Sequence, residues 1–398
     1  MPILINASLP PLPSQQGWLA FGTGLTGTQT RVATGTLLNS TAVMADFAGY
    51  SNHLPTAATL VNTTFPHLNR SVGFSLEFRL RVISETHLAP NRAGFSITLL
   101  DQGPTPQGIE LGFWSNSIFS QGGGATPFQT VGQRRDGVNT TVATNYSLRM
   151  LDQTYYLLAN NRLILSGAVQ GYDQAPLDPR LPYRTYTTPS FLFLGDNTSR
   201  ASAHVELGTT SIDVARTGTS GADTFAGTAA ADHYNGLTGA DVLRGAAGAD
   251  WLAGGAGTDL LNGGAGDDFL IGGSEADRFV FNTGAAFNST QLGVDTIVDY
   301  NPTALDRLRL GRVTFTALPA GTTLAANRFA TVASDALAAT STAQIVYNRV
   351  NGRLFYNPND SAAGFAGTAT GGGQFAQLWG GATGTPFPAL TNAVFEIG

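Results

Sequence analysis

Between Gly218 and Val280 the chain repeats every nine residues, seven times in register: GTSGADTFA, GTAAADHYN, GLTGADVLR, GAAGADWLA, GGAGTDLLN, GGAGDDFLI and GGSEADRFV. Position 1 is always Gly, and position 6 is always Asp (Asp223, Asp232, Asp241, Asp250, Asp259, Asp268, Asp277). Position 8 is always a large apolar residue: Phe225, Tyr234, Leu243, Leu252, Leu261, Leu270, Phe279. A fixed period with one acidic and one apolar position is the mark of a stacked repeat, in which each unit is too small to bury its apolar face alone. The GGxGxD half of a nonad has to turn tightly, and Gly reaches the needed backbone conformations at little cost. The other three residues extend as a short strand that turns position 8 inward. Two nonads then make one coil of a right-handed parallel roll, with position 8 as its core. The position-6 carboxylates stack along both edges, pairing Asp223 with Asp241, Asp232 with Asp250, Asp241 with Asp259, Asp250 with Asp268 and Asp259 with Asp277.

Such a stack repels itself, since the chain has no Lys and few Arg lie near the nonads. A hard divalent cation between coils removes that cost. Carboxylates and turn carbonyls offer the all-oxygen shell of six or more ligands that Ca2+ takes, whereas Mg2+ demands a tighter octahedron than a glycine turn gives. The pattern resembles the hemolysin-type calcium-binding repeat of the RTX proteins. GGxGxD is complete in GGAGTD and GGAGDD and one Gly short in GAAGAD, GLTGAD and GTSGAD, while Ala230 and Glu275 replace the position-4 Gly of the second and last nonads. The expected metal-site residues are the seven Asp with Gly239, Gly248, Gly255, Gly257, Gly264 and Gly266. The firmest sites are expected around Asp241–Asp268 and weaker ones at each end, as repeat arrays usually have.

The rest of the composition narrows the class. The chain has 398 residues, 42% hydrophobic and only 12% charged, with a net charge of -6. That suits two or three globular domains and gives a nucleic acid no basic surface to bind. With no Cys, the chain has no disulfide, thiolate zinc site or cysteine nucleophile. The start, MPILINASLPPLPSQQ, lacks the basic and apolar regions of a cleaved secretory signal. No run approaches the ~18 apolar residues of a transmembrane segment.

Residues 1–17 read as an arm, either loosely docked or extended along a sheet edge. Residues 18–215 are dominated by strand signals: Phe74–Val82 alternates apolar and polar residues, and Asn160–Asn161 marks a hairpin tip. Many short strands at this spacing predict a β-sandwich or jelly roll. The runs Tyr155–Gly167 and Phe191–Gly208 resemble the strands of concanavalin A-like and laminin G-like domains, which include glycan-binding lectins, glucan hydrolases and structural surface modules. Retaining glycoside hydrolysis needs two carboxylates about 5 Å apart, and the strand-borne Glu77 and Glu110 are isolated in sequence. Both are expected to face solvent. Phe113 and Trp114 are expected in the core, and Gln133–Asp136 at a solvated loop tip.

After the roll (216–281), residues 282–398 read as a C-terminal β cap. Asp295–Pro302, Asp306–Leu308, Gln344–Asp360 and Gln374–Leu378 resemble the segments that follow RTX repeats, and ALTNAVFEIG at the end resembles a type I secretion signal. The fold expected is all-β: N-terminal β-sandwich, parallel β-roll, C-terminal β cap. The function expected is a secreted, non-enzymatic, calcium-binding surface or matrix protein that folds on Ca2+ after export and self-assembles as a homo-oligomer or polymer. The alternatives are an adhesin for a cell-surface glycan and a secreted polysaccharide-active enzyme with an RTX tail.

Overall fold

The computed structural model describes residues 3–8, 12–22, 28–41, 48–53, 60–61, 63–124, 127–172, 185–196, 198, 200–359, 365, 371–380 and 387–398. Asp360 therefore lies outside the described residues. The chain is all-β. Among the described residues its α-helices are two single turns, Ser289–Leu292 and Asp335–Ala338, and no helix is long and apolar enough to cross a membrane. Two compact units divide it, Met1–Val214 and Ala215–Gly398.

The first unit is a sandwich of two antiparallel sheets. One runs Arg162–Ala168, Thr154–Ala159, Thr144–Leu151, Phe74–His87, Ala201–Val214, Gly35–Asn39, Thr28–Val32. The other runs Val131–Asp136, Ser117–Gln121, Gln107–Trp114, Ser96–Leu100, Leu192–Asp196, Ala48–Ser51, Leu19–Gly22. Alternation places Leu76, Phe78 and Leu80 of the first sheet against Ile97, Leu111 and Phe113 of the second in one core. Phe78 and Phe113 meet edge to face across it, ring centroids 6.0 Å apart. Asn160 and Asn161 both take positive φ (48° and 61°), the two-residue turn that matches the twist of its flanking strands. The N-terminal arm joins its own sheet: Ile3–Ile5 pairs antiparallel with Thr210 and Ser211, and Trp18 Nε1 donates to the Leu4 carbonyl at 2.7 Å.

The second unit is a two-sheet parallel roll. Phe225, Leu243, Leu261 and Phe279 stand in register on one sheet, and Tyr234, Leu252 and Leu270 on the other. Leu243, Leu252, Leu261 and Leu270 are wholly buried, each stabilising by about 1.5–3 kcal/mol relative to exposure. Both sheets run on past the last nonad. Leu270 is followed by Ile297 and then Leu378, and Phe279 by Leu308 and then Phe395, all in parallel. Only beyond Gly373–Leu378 does the sheet of Leu252 and Leu270 turn antiparallel, through Arg353–Tyr356 and Ile345–Asn348, before Phe329–Val332 ends it in parallel pairing.

Candidate metal centre

Each coil-to-coil step at the roll edges is made by an aspartate. The backbone N–H of Asp223 donates to Asp241 Oδ1 at 2.7 Å, Asp232 to Asp250 at 2.7 Å, Asp241 to Asp259 at 2.8 Å, Asp250 to Asp268 at 2.9 Å and Asp259 to Asp277 at 2.9 Å. The ladder then continues where the nonads have ended: Asp268 donates to Asp295 Oδ1 at 3.2 Å and Asp277 to Asp306 Oδ1 at 3.0 Å. Sequence periodicity misses these two residues because they lie 27 and 29 residues on, not 18. Their signal is the triplet Asp-x-apolar, Asp295-Thr-Ile and Asp306-Arg-Leu, which copies positions 6 to 8 of a nonad.

The other carboxylate oxygen is where a cation fits. Asp241, Asp259, Asp268 and Asp277 are each at most 2% exposed, and their Oδ2 atoms are buried without a hydrogen-bond partner. A buried unpaired charge is costly and calls for a partner. Carbonyl oxygens of the next coil gather beside these carboxylates, as they do beside Asp223 and Asp232 of the first coil. A side chain on Gly236 would run into Asp241 Oδ2 and the Gly254 carbonyl of the next coil, and one on Gly254 into Asp259 Oδ2 and the Gly272 carbonyl. At Gly245 the same space lies beside Asp250 Oδ2 and the Gly263 carbonyl. Among the described residues no three His, Cys, Asp or Glu side chains converge, so a bound ion has to draw on backbone carbonyls as well. Carboxylate plus carbonyl oxygen is a donor set suited to Ca2+ and unsuited to zinc.

The turn glycines create that space. Gly239, Gly248, Gly257 and Gly266 at position 4 have φ of 125°, 113°, 130° and 123°, and Gly255 and Gly264 at position 2 have 107° and 106°. Leu237, Ala246 and Glu275 take the same left-handed conformation at 75°, 81° and 81°, at a cost of about 1–2 kcal/mol each. A Cβ on Gly257 would also overlap the Gly239 carbonyl of the preceding coil. Coils therefore stack backbone on backbone.

Burial dominates the electrostatics. It pushes the Asp259 carboxyl up to about 6 and those of Asp268 and Asp277 up to about 8, with neighbouring carboxylates adding to the rise. Asp241, Asp295 and Asp306 are raised for the same first reason, and Asp299 reaches about 6. Asp299 follows the Ile297 rung, and its carboxylate accepts from the N–H groups of Gly272 and Gly273. Asp267 is off the ladder and accepts from Val294 N–H, and His233 stacks on Trp251 at 3.7 Å.

The sandwich presents its acids differently from the sequence expectation. Glu110 does not face solvent: it is 2% exposed, and its carboxylate accepts from Tyr186 OH at 2.6 Å and Thr98 Oγ1 at 3.1 Å. Its strand, Gln107–Trp114, is covered on both faces, the second by Phe128 and Tyr172 with Tyr186. Glu77 accepts from Ser147 Oγ at 2.6 Å. Gln133–Asp136 is no loop tip but part of the edge strand Val131–Asp136. There Arg134 lies 4.3 Å above the Trp114 ring and pairs with Asp136.

The RTX calcium-binding nonapeptide repeat family, in a form four copies long, matches residues 217–252, 227–261 and 244–279. The nonads are thus RTX calcium-binding repeats. No curated protein matches the chain. Solved structures similar to it include a carbohydrate esterase from the Shiga toxin-encoding bacteriophage phi24B (11% identity, 50% of this chain and 91% of that one, TM-score 0.33). They also include a family 7 alginate lyase (14%, 50% and 78%, TM-score 0.26) and a subunit of the Azotobacter vinelandii mannuronan C5-epimerase (26%, 39% and 68%, TM-score 0.22). At TM-scores this low the likenesses bear on neither activity nor substrate.

Proposed function

We propose that this is a non-enzymatic structural protein that works outside the cell, where Ca2+ folds its C-terminal unit, and that it assembles with copies of itself. The observation that carries the reading is the set of buried, unpartnered carboxylate oxygens on Asp241, Asp259, Asp268 and Asp277. Bound there, Ca2+ supplies the positive charge that lets these carboxylates stay ionised and buried. The chain supplies Oδ2 atoms and turn carbonyls, and the glycine turns bring both within reach. Extracellular calcium modules bind with Kd on the order of 0.1–1 mM, so the roll stays open where calcium is scarce and closes where it is plentiful. Each site at tenfold excess over its Kd adds about 1.4 kcal/mol.

Export by a type I route is supported by the resemblance of Ala389–Gly398 to such a signal. Phe395–Ile397 is a strand of the folded roll, so the signal is accessible before calcium closes it. The non-catalytic reading of the sandwich is supported by Glu77 and Glu110, whose carboxylates are engaged in hydrogen bonds within their own sheets. Assembly is supported by the sheet edges left at Thr28–Val32 and Phe329–Val332 among the described residues. The arm is engaged within its own chain and is not the donor.

Calcium titration of the purified protein, followed by circular dichroism, tests the first part. A spectrum that ignores calcium sinks it. Electron micrographs with calcium test assembly, and dispersed single particles at all concentrations refute it. Hydrolysis or elimination on any member of a polysaccharide panel ends the non-enzymatic reading.

A further inference from the structure

The seven turns are of two kinds. From the third nonad on, positions 2 and 4 both take positive φ: Leu237 and Gly239, Ala246 and Gly248, Gly255 and Gly257, Gly264 and Gly266, Gly273 and Glu275. In the first two nonads neither position does. Thr219 and Thr228 stand at position 2, and they fill the place that the later turns leave open. The N–H and Oγ1 of Thr219 both donate to Asp223 Oδ2, at 2.7 and 3.0 Å, and those of Thr228 to Asp232 Oδ2, at 2.6 and 3.0 Å. The remaining oxygen of Asp232 pairs with the Arg216 guanidinium, which also lies 4.8 Å from the Phe225 ring.

We propose that the first coil is a calcium-independent cap, in which Thr219, Thr228 and Arg216 do for Asp223 and Asp232 what the cation does further along. Metal binding then begins at Asp241. The difference has a structural reason. A cation would have to displace two donors from each first-coil carboxylate, whereas Asp241, Asp259, Asp268 and Asp277 offer an Oδ2 that nothing else holds. The change of turn also explains the sequence. Position 2 carries side chains at Leu237 and Ala246, which stack on threonine turns, and Gly at 255, 264 and 273, which stack on left-handed ones. With Arg216 at the open end of the ladder, the roll starts on a fixed charge and needs no ion there.

The inference rests on the calcium reading above, and counting ions separates the two. Native mass spectrometry of the full chain in calcium gives the number bound. Asp223→Asn/Asp232→Asn is expected to keep the wild-type count with a titration midpoint within twofold, while Asp241→Asn/Asp259→Asn loses ions. Fewer ions on a folded Asp223→Asn/Asp232→Asn protein overturns the cap and leaves the calcium reading standing; wild-type protein that binds no calcium overturns both. Should the first variant fail to reach the calcium-bound circular dichroism of the wild type, Thr219→Val/Thr228→Val decides. It removes the hydroxyls, which donate to the carboxylates and accept from the Gly221 and Ala230 N–H groups, and is expected to lower the melting temperature equally with calcium and with chelator. An unchanged ion count in that variant supports the cap, and a reduced count refutes it.

Discussion

Asp259 donates its backbone N–H to Oδ1 of Asp277 at 2.9 Å, while the second oxygen of the same Asp277 carboxylate is buried without a hydrogen-bond partner. One side chain thus serves as the rivet between coils and as a charge waiting for a counter-ion. The two roles separate on substitution. Asp277→Asn keeps the riveting oxygen and removes the charge. It should stabilise the roll in chelator, because an amide folds without the cost of either burying a carboxylate charge or protonating it first. In calcium it should raise the titration midpoint at least tenfold, about 1.4 kcal/mol. Loss of stability in both conditions would contradict this assignment.

The pH dependence should change sign with calcium. Asp259 is raised to about 6 and Asp268 and Asp277 to about 8, against about 3.9 in an unfolded chain. These groups take up protons on folding, so their contribution to the metal-free roll is complete below about pH 4 and is lost as pH rises through 6 to 8. Calcium binds the deprotonated form, so its affinity should weaken as pH falls from 8 to 6. Melting curves in chelator at pH 5 and pH 8, beside calcium titrations at pH 6 and pH 8, measure both signs. A chelated protein that melts higher at pH 8 than at pH 5 would rule it out.

Two position-4 glycines should respond unequally to the same change. Gly257→Ala puts a Cβ into the Gly239 carbonyl at φ 130° and should cost at least about 3 kcal/mol. Gly221→Ala meets nothing nearer than Thr219 Oγ1 at 3.9 Å and should stay within about 0.5 kcal/mol of wild type. Thermal unfolding in saturating calcium compares them.

Ala246 is exposed and holds a left-handed φ of 81°. Ala246→Gly loses no packing, so relief of strain should yield a net gain on the order of 1 kcal/mol despite the greater freedom of the unfolded chain. A lower melting temperature in calcium would show that the strain is absent.

Much of the roll was legible because its physics is periodic: position 8 is the core and position 6 the edge in every nonad, from Phe225 to Phe279. Asp295 and Asp306 were not, because the segments before them loop out and break the 18-residue spacing while the hydrogen-bond ladder continues. In the sandwich, alternation identified Phe74–Val82, which has one face to the core and one to solvent. It misplaced Glu110, whose strand is buried on both faces, so polarity no longer reports direction. Nor did the sequence separate threonine turns from glycine turns. That distinction lies in which donor reaches Asp Oδ2, and a nine-residue pattern does not record it.

The registers Leu308 with Phe395 and Ile297 with Leu378 set the order of events when the second unit forms. Neighbouring coils of the nonads join residues 18 apart, whereas Leu308 and Phe395 are separated by roughly 87, a closure that costs about 1.4 kcal/mol more in chain entropy. Local rungs form early and distant ones late. The nonads and the rungs of Ile297 and Leu308 therefore zip first, leaving Ile297 and Leu308 as bare apolar ends until the far strands arrive. During that interval a strand from another molecule competes with the chain's own, so slow calcium addition to concentrated protein favours exchanged rungs over intact monomers.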